Sequence, residues 1–166
     1  MTERITATTW DAVARVCAGI TGFKYVYGAG VTDATSKLVV PQADDFADSG
    51  VPAVVVGLGP WTAITGGGQT RRRYEFRISL WFGRNELGER IPEMADAIDQ
   101  VIKAFEQHTE AYLIAEQPTW SLQSALITGG SAIEQRSIGS EQPRPYLVAP
   151  MTAEVVVDVS TNPQPA

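Results

Sequence analysis

Apolar and polar residues alternate most clearly in RRRYEFRISLWF, residues 71–82. There Tyr74, Phe76, Ile78, Leu80 and Phe82 point one way, and Arg73, Glu75, Arg77, Ser79 and Trp81 point the other. A period of two is the mark of a strand with one buried face. Beyond the loop GRNELGER the spacing changes to three and four. Met94, Ile98, Val101, Ile102 and Phe105 form a stripe that predicts an amphipathic helix over about residues 91–107. Pro92 suits its first turn, and Glu93 and Asp96 complement the helix dipole. Two periods this close together predict a strand laid against a helix in one α+β unit.

The rest of the chain fills in around that unit. Residues 9–19 predict a first helix, with Thr8 or Thr9 as cap, Trp10, Val13, Ala14 and Cys17 on one face, and Gly19 and Gly22 as its end. Residues 23–50 read as mostly irregular, with short apolar pieces at Tyr25–Tyr27 and Leu38–Val40. Pro52 opens a buried strand, PAVVVGLG. Trp61–Thr65 pairs with the alternating strand through a flexible tip at Gly66, Gly67 and Gly68. WSLQSALITGG and SAIEQRSIG are strand material interrupted at Gly129 and Gly130. Met151–Val159 closes the pattern, with Met151, Ala153, Val155, Val157 and Val159 inward. The expected fold is a mostly antiparallel sheet with a β-hairpin extension, packed by two α-helices. Residues 1–160 form a single domain, and 161–166 a disordered tail.

Composition narrows the function more than the fold. A chain of 166 residues hides roughly 70% of its unfolded surface on folding, enough for one real core. A formal net charge of −6 disfavours a protein that wraps duplex DNA, because Lys and Arg supply most of the affinity for phosphates. No apolar run is long enough to cross a bilayer, and the N-terminus lacks the pattern of an export signal. One cysteine, Cys17, excludes an internal disulfide.

Catalytic chemistry finds little to work with. Nucleophilic catalysis needs a nucleophile, a base and an orienting group, and the chain has one histidine, His108, placed where a basic side chain suits a helix end. Cys17 falls on the core face of the first helix. GLGPWT has Thr62 where a dinucleotide fingerprint needs its third glycine, and GGGQT lacks the Lys of a phosphate loop. Asp44, Asp45 and Asp48 lack the alternating ligands of an EF-hand, and nothing supports zinc. The expectation is therefore a non-enzyme with no catalytic residue, metal or cofactor. Two features remain. Arg71, Arg72 and Arg73 are either a solvated strand entrance or an arm reaching an acidic neighbouring subunit. Trp81, on the polar face, is either covered from within the chain or an interface anchor.

Taken in order, an N-terminal helix, PAVVVG, a hairpin ending in YEFRISLWFG, the helix IPEMADAIDQVIKAF and the closing strand TAEVVVDV resemble the tail terminator and tail-completion proteins of long-tailed bacteriophages. The resemblance covers about residues 5–160, except 23–50. It implies a homo-oligomeric ring, usually a hexamer, at the head-proximal end of the virion tail, assembled in the host bacterial cytoplasm. Such a ring stops polymerisation of the tail tube protein, meets the head–tail connector or stopper protein, and lets DNA pass through its lumen. Interface candidates are then Gly66, Gly67, Gly68, Arg71, Arg72, Arg73 and Trp81, and candidates for the lumen lining are Asp44, Asp45 and Asp48. A head–tail connector, stopper or head-completion protein is the nearest alternative. A small-molecule-binding or enzymatic α+β domain is the more distant one.

Overall fold

The computed structural model describes residues 5–28, 38–39, 52–83, 90–114, 120–138 and 144–160. Two helices, α1 (Ile5–Ala18) and α2 (Arg90–Ile114), lie on one face of a seven-stranded sheet. Its strands are β1 (Tyr25–Tyr27), β2 (Leu38–Val39), β3 (Ala53–Gly66), β4 (Gln69–Gly83), β5 (Trp120–Gly130), β6 (Glu134–Ile138) and β7 (Arg144–Ser160). The order is β2-β1-β3-β4-β7-β5, and β6 pairs with β7 alongside β5. Among the described strands β1 pairs in parallel with β2 and β3, and the other ladders are antiparallel. The expected α+β class, with an antiparallel sheet, a hairpin and two helices, is the observed one.

Alternation decides which face of each strand is covered. Tyr74, Phe76, Ile78, Leu80 and Phe82 are buried, as their period predicts, and so are Met151, Ala153, Val155, Val157 and Val159 across the ladder. From the helices, Val13, Val16, Cys17, Met94, Val101 and Phe105 complete one continuous core. The stripe of α2 needs one correction. Ala97 and Ala104 are buried, whereas Ile98 and Ile102 are only partly buried at its flank. Alanines at those positions let neighbouring elements approach closely, which hydrophobicity alone does not reveal.

α1 begins four residues before the expected position. Thr9 is therefore inside the helix rather than at its cap, and its hydroxyl donates to the Ile5 carbonyl at 2.7 Å. Trp10 lies at the margin of the core, where its indole Nε1–H donates to the Val56 carbonyl at 2.9 Å. The PAVVVGLG strand and Trp61–Thr65 prove to be one strand, β3, with an irregularity between Leu58 and Trp61. That irregularity accommodates Pro60, which has no N–H to give to a ladder.

β7 is the spine of the sheet. It pairs with β4 along nearly its whole length and, on its other side, with β5 and β6 set end to end. The interruption between β5 and β6 lies opposite Pro150, whose carbonyl accepts from Ser131 N–H at 3.1 Å. In an antiparallel strand the N–H and C=O of one residue face the same neighbour. The donor that Pro150 lacks therefore falls on the β5–β6 side, where the ladder breaks. The interruption thus lies just past Gly129 and Gly130 rather than at them.

Candidate assembly surface

The second face of the sheet carries no described helix and divides into three zones. At one end, Tyr27, Ala53, Trp81, Tyr146 and Val148 form a small separate apolar cluster. Trp81 is only 8% exposed, packs edge-on to Tyr146 at 6.0 Å, and has the Arg136 guanidinium 5.9 Å from its ring centroid. Of the two readings of Trp81, the structure bears out cover from within the chain. The cover comes from neighbours on the same sheet face.

The middle zone is charged. Arg71 Nε donates to Asp158 at 2.9 Å, and Arg73 lies 3.8 Å from Glu154. Hydrogen bonding to Arg71 holds the Asp158 carboxyl below its ordinary range and raises the guanidinium. These pairs are solvent-exposed, so screening by water leaves them little weight in stability. Arg72 points to the helix side, with Nη1 donating to the Tyr74 hydroxyl at 3.3 Å. Two of the three arginines thus pair with carboxylates of their own chain.

The third zone is the hairpin of β3 and β4. Gly67 and Gly68, at φ 60° and 80°, form a tight two-residue turn between paired Gly66 and Gln69. Positive φ at both central residues is what a type I′ turn needs. Two of the three glycines are thus explained by backbone geometry. Behind the turn, residues 60–67 are all exposed, Trp61 at 61% and Ile64 at 71%. Pairing with β1 ends at Val55, and beyond it no described strand lies alongside this edge. The sequence signal that could have marked this surface is the absence of any charged residue from 49 to 70.

Among the described residues no group of three or more His, Cys, Asp or Glu could hold a metal ion. A shallow hollow on the second face of the sheet is lined by Glu75, Arg77, Ser79, Thr128, Ser131 and Arg136. α2 runs through His108, but its side chain lies outside the described residues, as do Asp44, Asp45 and Asp48 and the tail at 161–166. No described helix is long and apolar enough to cross a membrane.

Cys17 is fully buried, and burial pushes its thiol from its ordinary value near 9 up to about 12. The thiolate is the reactive form, so a disulfide reagent should label native protein only as fast as the chain opens. The folded state holds the proton through the interval in which the unfolded chain loses it. Stability should therefore fall with rising pH between about 9 and 12. Denaturant midpoints across that range check this, with Cys17→Ala flattening the slope.

No protein-family model matches the chain, and no curated protein shows significant similarity to it.

Proposed function

We propose that this chain is a structural virion subunit. It forms a ring that caps the head-proximal end of a phage tail tube, stops tube polymerisation and joins the tail to the head connector. The observation that supports this reading is a sheet covered by helices on one face, with no described strand alongside the outer part of β3, so that the molecule offers surface for assembly. The order of elements that resembles tail terminators supports it from the sequence side. Bare strand edges are templates for pairing with another chain, which suits a protein whose work is to be built into a particle.

DNA passes through such a ring without being held. With 19 acidic against 13 basic residues and two basic residues of the arginine run paired within the chain, the subunit carries a net negative charge that opposes a grip on phosphates. Negative-stain microscopy of the protein mixed with tail tubes should show rings and capped tubes of limited length. A titration with random-sequence duplex at near-physiological salt should show no binding, since like charges repel within the Debye length of ~8 Å. Salt-dependent affinity at micromolar level or tighter, with tubes left uncapped, would move the protein to the connector or stopper alternative.

A further inference from the structure

We propose that copies of this chain join head to tail by β-sheet extension, the outer edge of β3 in one copy pairing antiparallel with the outer edge of β5 in the next. This rests on the ring reading for its closure, but names the surfaces that make the ring. Sheets usually protect their edges with charge and keep their centres neutral. Here the arrangement is reversed. Central strands β4 and β7 carry Arg71, Arg72, Arg73, Glu75, Glu154 and Asp158. Residues 49–70, which include β3, and residues 117–133, which include β5, carry no Asp, Glu, Lys or Arg. At the chain-wide charged fraction of 19%, roughly seven would fall in those two stretches. Pairing these edges desolvates no charge.

Strand direction and length agree with the pairing. β3, β4, β7 and β5 run alternately, so a laterally repeated copy sets its β5 antiparallel to β3. The free part of β3, residues 57–66, is close in length to the 11 residues of β5. Apolar partners exist on both faces. Trp61 shares the helix face with Tyr74, as the register requires. In a register that sets Ile64 beside Leu126, Trp61 falls diagonal to the neighbour's Ile127, which is only partly buried in its own chain. On the opposite face Ile64 and Leu126, 71% and 42% exposed, can meet across the new ladder. A two-fold dimer through β3 alone leaves β5 bare. Head-to-tail repetition covers both edges and closes when the rotation per step divides a full turn.

The test uses two single-cysteine variants of the full chain, Ile64→Cys and Leu126→Cys, with Ser124→Cys prepared to cover a register displaced by two residues. Buried Cys17 stays silent in all of them. Mixing the β3 variant with a β5 variant under mild oxidation should give disulfide-linked pairs that neither forms alone. Ile64→Lys, at an exposed position, should keep the melting temperature measured at monomeric dilution and weaken self-association at least tenfold in sedimentation. Oligomers larger than a dimer that neither cross-link nor respond to Ile64→Lys overturn the edge pairing while leaving the ring reading in place. Ile64→Cys linking to itself in a strict dimer overturns the head-to-tail arrangement. A chain that stays monomeric even on tail tubes overturns both.

Discussion

Replacing Phe105 with alanine should lower the free energy of unfolding by about 3–5 kcal/mol, a large share of the ~5–15 kcal/mol typical of a domain. Phe105 is 2% exposed on α2, within the core that α2 shares with α1 and the helix face of the sheet. Truncation loses the transfer free energy of the ring and leaves a cavity that a sheet and two helices cannot close without breaking other contacts. Ile98→Ala should cost clearly less, because Ile98 is already partly solvated. Denaturant unfolding read by circular dichroism decides it. A Phe105→Ala loss below about 1 kcal/mol, or one equal to that of Ile98→Ala, would place the ring outside the core.

Trp81→Ala should be comparably damaging, roughly 3–5 kcal/mol, and should be so in a dilute solution of separate chains. Its ring, 8% exposed, is enclosed with Tyr27, Tyr146 and Val148 on the helix-free face, beneath the Arg136 guanidinium. An anchor that served only subunit contacts would behave in the opposite way, leaving dilute-state stability intact and changing the assembled mass. Unfolding at monomeric concentration, set beside sedimentation at high concentration, separates the two roles. Unchanged stability with lost assembly would return Trp81 to the interface.

The boundary between what was legible in advance and what was not follows the range of the interactions. Period two in residues 71–82 and in the closing strand was legible, because alternation is a local consequence of backbone pleat. Its buried faces appear as expected. Period three-and-four located α2 for the same reason. The stripe could not say that Ala97 and Ala104, rather than Ile98 and Ile102, face the closest packing, since that depends on what lies opposite. Gly67 and Gly68 were visible as a turn, but their positive φ follows from a two-residue connection whose length only strand pairing sets. Cys17 was read as a core residue from its helical position, and its raised pKa follows from complete burial.

For the candidate surface the division is sharper. Arg71, Arg72 and Arg73 are adjacent in sequence, yet alternation sends Arg72 to the helix face and its neighbours to the other. Their carboxylate partners, Asp158 and Glu154, lie more than eighty residues away in sequence, on a strand that becomes adjacent only when the sheet forms. By itself the sequence determined the elements and the inward faces of the long strands, because these depend on neighbours within a few residues. Only the tertiary structure decided that β4 and β7 lie at the centre, that Trp81 is enclosed within its own chain, and that β5 and the outer part of β3, both free of charge, fall on edges of one sheet among the described strands. Strand order is a property of long-range pairing, and no local pattern of residues encodes it.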